Sequence, residues 1–544
     1  MAAPALARTS HAPVFSETAL RIILFAVLIY WGFIAFTFPV TNWDSQVYNL
    51  SRLAIAEKAG FWQTTSWNSV RQVMFPWTYD AVHFPFLRLG CGFALPSFGA
   101  FLGILAIAYN LISPRWGRST ALWACLTLTA MPTMVLQATS TKNDLVIAFV
   151  LGCWLYGFER YRRTTRRKYL ILGALSLSFG IGAKASAILP CAICTLITLY
   201  LLRREPLSLL YFIGSYLPLL ILFGSVETYA LSYRCFHHPL GEPNFLADHV
   251  NRDGFRGAAA NFIRYFFGNL SLGIDGSNAK SGLSGLLEKA CRSILHILQL
   301  ANAGYRSDFN DKNMHFVKYG VASSADFGLP GAICMVSAPA LALRFRSSPA
   351  VAFTASAGLL WMVFLSSSVG WMEWNARFLC TSFVLFGLAF SVAFFSNPNR
   401  NRFIVALIGL LVIWSAISYP LLTQYERPAD LSAVFHDRKK LQFSENLDLR
   451  KVYNRVRQIR SSAGKVPWFL LASENSWTLP FLTIPRMDWR LTPQWSMIGE
   501  WQKNNPQKPA YVLVLQRAYQ NELPADLENS YPANTLILKI PASN

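Results

Sequence analysis

Five charged side chains fall at the edges of apolar runs, where acids and bases are costly to place next to hydrocarbon. Asp44 lies directly beyond the first run, in Trp43-Asp44-Ser45-Gln46-Val47-Tyr48. A carboxylate at that depth could accept a proton from a hydroxyl or hold a divalent cation; it could equally belong to a capped interfacial helix among anchoring aromatics. The same loop continues through Arg52 and Glu57 and closes with Asp80, His83 and Pro85. A second loop reads Ala138-Thr139-Ser140-Thr141-Lys142-Asn143-Asp144. Its Thr, Asn and Asp suit a helix N-terminus, whereas Lys142 is a cation at head-group depth and suits a phosphate. Lys184, in Gly182-Ala183-Lys184-Ala185-Ser186, sits between two apolar runs, either snorkelling to the head groups or binding an anion. Arg377, in Trp371-Met372-Glu373-Trp374-Asn375-Ala376-Arg377, lies about one turn inside another run. An unpaired charge there costs several kcal/mol, so it needs Glu373 at i, i+4 spacing or an anionic ligand. Brought together, these groups would form a pocket for an anionic, membrane-embedded substrate with carboxylates near its reactive end.

The elements that must position them are transmembrane helices. Of 544 residues, 53% are hydrophobic and 14% charged, where a soluble chain carries about 25% charge. The apolar residues cluster into runs of roughly 17 to 22, enough to cross roughly 30 Å of hydrocarbon. Runs near 20–38, 92–112, 119–137, 143–158, 169–183, 185–202, 208–230, 329–345, 349–366, 374–396 and 402–420 predict an all-α polytopic protein with about eleven spans. The net charge of +21 does not signal nucleic acid, because the basic residues sit in short loops between spans. Alternate loops carry fourteen Lys and Arg against two, which predicts a cytoplasmic N-terminus and an extracytoplasmic C-terminal domain.

Three large segments then face outward: a first loop at 39–91, a long loop at 231–328 and a tail at 421–544. The transmembrane domain is thus 1–420, and the tail reads as a small α/β domain. Strand-like runs at Trp468–Ala472, Tyr511–Leu515 and Thr535–Ile540 accompany a helix-like stretch at Asn446–Ile459. The long loop holds an apolar stripe (Leu286, Leu287, Ile294, Leu295, Ile297, Leu298) suited to an interfacial helix. Cys235 and Cys291 share that loop, where they could pair. Cys191-x-x-Cys194 lies on an apolar run without a second pair, which argues against a metal or redox site.

In the order of these elements the chain resembles the GT-C superfamily of polytopic glycosyltransferases, and within it the protein O-mannosyltransferases and lipid A aminoarabinose transferases. Asp44, Tyr48, Gly60-Phe61-Trp62 and His83-Phe84-Pro85 follow the family's order in the first loop, and Thr139 to Asp144 matches its Thr/Asp-bearing loop. Lys184 matches a Gly-x-x-Lys element loosely, since Ile181 stands at the glycine position between Gly180 and Gly182. Asn375-Ala376-Arg377-Phe378 is similar to the family's Asn/Gly-Arg-Tyr/Phe element. Where many relatives place a second acid after the first, this chain has Ser45, which leaves Asp44 with Asp144 as the carboxylate pair.

The resemblance implies transfer of a sugar from a polyprenyl-phosphate-linked donor to a lipid, polysaccharide or protein acceptor on the extracytoplasmic face, in a bacterial inner membrane. Asp44 would be the base, Asp144 would orient the acceptor or help bind a divalent metal cation, and Lys142, Lys184 and Arg377 would hold the donor phosphate. Tyr48, His83 and Glu373 would line the substrate. A transporter or flippase of lipid-linked intermediates would instead show charges near mid-membrane and repeat symmetry, and neither is legible. A non-catalytic envelope scaffold would bind the donor without turnover.

Overall fold

The computed structural model describes residues 15–60, 67, 69–270, 283–307, 309, 327–345, 347–397, 401–422, 447–463, 466–472, 476, 478–484, 489–492, 495–515 and 536–540. Phe61 and Trp62, and the beginning of the tail at 423–446, lie outside them. The chain is an integral membrane protein and mostly helical. Six described helices are long and apolar enough to cross a bilayer: Glu17–Thr37, Leu95–Trp116, Ala185–Leu202, Pro206–Phe223, Pro349–Ser368 and Glu373–Phe395. Lys168–Ala183, Gly328–Ala342 and Arg402–Ser418 are apolar but shorter. In the first helix Ser16 accepts from Ala19 N at 3.1 Å, an N-cap, and Trp31 and Ile34 are buried while Phe25, Ile29 and Phe36 face outward. Both faces are apolar because one meets helices and the other lipid.

Two expected spans are interrupted. The run 119–137 forms Arg118–Thr129 and Pro132–Ala138, bent by 78°. Pro132 lacks the N–H that would continue the first helix, and the residue before it, Met131, is extended (φ −88°, ψ 114°). The run 208–230 ends at Phe223, and a separate helix, Val226–Phe236, begins past Ser225. Ser225 has a left-handed backbone (φ 53°). Its hydroxyl accepts from Trp77 N (3.2 Å) and Thr78 N (3.0 Å) and donates to Gly182 O (2.9 Å), which ties three loops together.

The first loop folds into Leu50–Ala59 and the short helices Val70–Met74, Thr78–Ala81 and Phe84–Leu89. Arg52 is their clamp. Its guanidinium is 2% exposed, pairs with Asp80 at 2.5 Å, and donates to the carbonyls of Phe75 (2.5 Å) and Pro76 (2.7 Å). Burial outweighs Arg52 and lifts the Asp80 carboxyl to about 6.

In the long loop the stripe on Leu283–Ile297 is divided: Leu295 is buried, while Leu286 and Ile297 are exposed. Cys235 is exposed and Cys291 is buried, and no disulfide joins them. In the tail, β1 (Trp468–Ala472), β2 (Trp489–Thr492), β3 (Ala510–Leu515) and β4 (Leu536–Ile540) make one sheet in the order β2-β1-β3-β4, parallel except for β3 with β4. β1 is buried on both faces, as central parallel strands are. Phe469 and Leu471 meet Ile498 and Val512, whereas Trp468 and Leu470 share a core with Val47, Tyr48 and Leu53 of the first loop. The sheet therefore packs under the segment that carries Asp44.

Replacing Arg52 by Met strands the buried Asp80 and the carbonyls of Phe75 and Pro76. Thermal unfolding of the full chain in detergent should show a loss of about 3–5 kcal/mol, and adding Asp80→Leu should recover part of it. An unchanged midpoint would show that the loop holds without the clamp.

Candidate active site

Asp44 is delivered by a short linker after the first helix. Asn42 caps the turn that follows: its Oδ1 accepts from Ser45 N (3.0 Å) and Ser45 Oγ (2.7 Å). Its Nδ2 donates to Thr141 Oγ1 at 3.2 Å, and Ser45 Oγ bonds the same hydroxyl. Ser45 thus occupies the neighbouring position with a neutral strap between the two loops rather than with a second charge. From Ser45 to Asn49 the chain takes a π-helical turn, fully buried, before Leu50–Ala59 begins.

The second loop leaves the bent helix Pro132–Ala138 and enters Asp144–Thr164. Ser140 Oγ accepts from Lys142 N (3.2 Å), and Ser97 Oγ donates to Lys142 O (3.1 Å). Asn143 Nδ2 donates to Ala183 O at 2.6 Å, which sets Lys184 next to Asp144. Arg377 stands on the 3₁₀ turn Glu373–Leu379, held by Asn375 Nδ2 bonds to Gly370 O (2.9 Å) and the Tyr265 hydroxyl (3.1 Å).

These four segments bring five side chains into one row. Lys142 Nζ lies 3.0 Å from Asp44 Oδ2, and Arg377 Nη1 lies 2.9 Å from that same oxygen. Arg377 Nε is 3.5 Å from Asp144 Oδ2, and Asp144 Oδ1 pairs with Lys184. Charges alternate along the row as cation, anion, cation, anion, cation. The Phe378 ring backs it, 4.3 Å beneath Lys184 Nζ. All five side chains are largely buried, with Lys184 the most accessible at 19%.

Burial alone would raise the Asp44 carboxyl. The charges of Lys142 and Arg377, with hydrogen bonds from Lys142 and the Tyr48 hydroxyl, outweigh it and hold Asp44 well below the usual carboxylate range. The Tyr48 phenol is pushed up by burial and by Asp44, so it stays a donor.

Of the sequence-selected residues, Asp44, Tyr48, Lys142, Asp144, Lys184 and Arg377 meet here. Arg377 forms its ion pairs with the two aspartates, not with Glu373 four residues earlier; that local pairing gives way to one across the fold. His83 is one layer behind. Its ring packs edge-on against Tyr79 (4.8 Å), whose hydroxyl bonds Ser97 Oγ (2.5 Å), the group that holds the Lys142 carbonyl. No group of three or more His, Cys, Asp or Glu gathers to hold a metal among the described residues, and both site carboxylates are turned onto cations. The divalent-metal expectation therefore finds no fitting ligand set.

Neither a protein-family model nor a curated protein sequence matches the chain. A crystal structure of ArnT from Cupriavidus metallidurans bound to undecaprenyl phosphate aligns with it at TM-score 0.52 and 14% identity, over 96% of this chain and 98% of that one. The chain shares its fold with ArnT. The apo state of ArnT covers the same shares at TM-score 0.44 and 14% identity. The alignment extends well beyond the segments that the motifs had covered.

Asn42 and Ser97 were not singled out by sequence. Asn42 had a legible signal, an Asn just ahead of a helical stretch; Ser97, inside an apolar run, had none.

Burial presses the His83 imidazole down to about 4, from an ordinary 6.5. A histidine kept neutral in this way contributes stability that is fully present above its unfolded value and lost as pH falls through the folded one. Melting temperature should drop between about pH 6.5 and 4 more steeply for the wild type than for His83→Phe. Parallel profiles would mean that His83 is not buried neutral.

Proposed function

We propose that the chain is a membrane glycosyltransferase that moves a sugar from a polyprenyl-phosphate carrier to an acceptor hydroxyl at the extracytoplasmic face. The observation that carries this reading is the charge row. Three cations face two carboxylates in a buried site, which leaves one positive charge at head-group depth and complements a phosphodiester. The solved neighbour ArnT is bound to undecaprenyl phosphate, the kind of phosphomonoester that such a donor leaves behind once its sugar is transferred.

The acceptor oxygen attacks the anomeric carbon while the bond from that carbon to the phosphate oxygen breaks. The phosphate departs with the electron pair, and Lys142, Lys184 and Arg377 neutralise the charge that develops on it. The hydroxyl proton passes to Asp44, and a single displacement inverts the sugar carbon. Asp44 tied to two cations is a weak base. Donor binding corrects this, because phosphate oxygens compete for Lys142 and Arg377 and release the carboxylate toward its ordinary basicity. Asp144 keeps Lys184 and Arg377 in place as this exchange occurs.

The same reading sets the membrane topology. Taking the bent pair, the three shorter apolar helices and Asp144–Thr164 as further spans gives about eleven, with the N-terminus cytoplasmic and the tail outside a bacterial inner membrane. The acceptor is a lipid, polysaccharide or protein.

Asp44→Asn should lower transfer by about 100-fold or more while leaving insertion intact. The measurement is mass spectrometry of envelope lipids, polysaccharides and proteins from cells lacking the gene, restored with wild type or with the variant. One sugar should return only with wild type; full restoration by Asp44→Asn would remove Asp44 from the chemistry. Lys142→Ala should weaken undecaprenyl-phosphate binding about ten-fold or more, read by titration of the purified chain.

A further inference from the structure

Beside the charge row lies a group of side chains that the transfer step does not use. Trp43 and Tyr48 from the first loop and Phe245 from the long loop surround the Arg71 guanidinium, and Phe75 bridges Tyr48 and Phe245. The guanidinium carbon lies 5.3 Å from the Trp43 ring centre, 5.9 Å from Tyr48 and 5.0 Å from Phe245. The rings meet edge to face: Trp43 with Tyr48 at 6.2 Å, Tyr48 with Phe75 at 5.3 Å, and Phe75 with Phe245 at 6.1 Å. Trp43, Tyr48 and Phe75 are thereby turned at steep angles to one another rather than stacked.

Position and exposure give the group a role. Trp43, Arg71, Phe75 and Phe245 are each half-buried, fixed by packing and still reached by solvent. Tyr48 is buried, and its hydroxyl donates to Asp44, so the aromatic group ends at the proposed base. Phe245 is held in place by its own helix, Pro243–His249. The Glu242 carboxylate caps that helix through Asn244 N (3.1 Å) and Phe245 N (2.5 Å), and the His249 ring stacks on Phe245 at 4.1 Å.

Aromatic faces around a planar, many-donor side chain match the surface of a pyranose. Its C–H face packs on a ring, and its equatorial hydroxyls lie in the plane where guanidinium N–H groups reach. An isoprenoid chain is a poor occupant, because the cluster is built from the two external loops and has a cation at its centre. We propose that this cluster is the acceptor subsite and that the acceptor is a carbohydrate; the inference rests on the transferase reading above.

The test uses the full-length chain in nanodiscs against an array of bacterial oligosaccharides and Ser/Thr peptides, with undecaprenyl phosphate titrated on the same samples. Oligosaccharides should bind. Phe245→Leu should weaken them at least about ten-fold, Phe245→Trp should keep them within about three-fold, and undecaprenyl phosphate should bind all three proteins alike. Arg71→Gln, a change on a different helix, should weaken oligosaccharides as well and gives a second measure should Phe245→Leu fold poorly. Peptides binding in place of glycans, glycan binding that Phe245→Leu and Arg71→Gln leave intact, or no glycan binding by a protein that takes undecaprenyl phosphate would each overturn the subsite. Loss of undecaprenyl-phosphate binding in the wild type would strike the transferase reading itself.

Discussion

Charge must alternate where water is scarce. Taking three cations and two carboxylates out of water is tolerable only if each finds an opposite partner within hydrogen-bonding reach, since the desolvation cost of a lone buried ion exceeds what a small domain's net stability can absorb. The row Lys142–Asp44–Arg377–Asp144–Lys184 meets that condition with side chains from four separate segments. The polar contacts beside the row hold these segments in register. Asn42 and Ser45 join the first loop to the second, Asn143 joins the second to Lys184, and Asn375 fixes the turn that carries Arg377. Neutral amides and hydroxyls do this well, because they position backbone without adding charge to a site already rich in it.

The same constraint explains why the helices break where they do. A straight helix through 118–138 would carry its C-terminal residues onward along one axis. The bend at Pro132 instead turns a short helix so that Thr139 to Asp144 enter the cluster. Ser225 ends the helix before it in the same manner and spends its hydroxyl on loop backbone. Irregular backbone at this depth is stable only where it lines a polar interior, and that is where it is found.

Support from below comes from the tail. Its sheet presents Trp468 and Leu470 to the core that contains Val47 and Tyr48, so the turn bearing Asp44 is wedged between an Arg52-clamped loop and a packed strand. In the proposed mechanism Asp44 exchanges partners as the donor binds, which requires neighbours that do not move with it. The aromatic cluster extends this rigid floor outward to the half-exposed rings of Trp43 and Phe245.

Hydropathy and loop charge disclosed a polytopic membrane protein, because the cost of burying polar groups in hydrocarbon is written locally, residue by residue. Asp44, Lys142, Asp144, Lys184 and Arg377 were legible for the same reason, as costly charges at run edges. Sequence alone did not determine their pairing. Local spacing offered Glu373 to Arg377, and the fold chose aspartates 333 and 233 residues away in the chain, because packing brings those two buried carboxylates within reach of the guanidinium. The interruptions at Pro132 and Ser225, the layer that places His83 behind Lys142, and the meeting of Phe245 with Arg71 were likewise tertiary decisions. Each depends on contacts between segments whose separation carries no periodic signal, so only packing could set them.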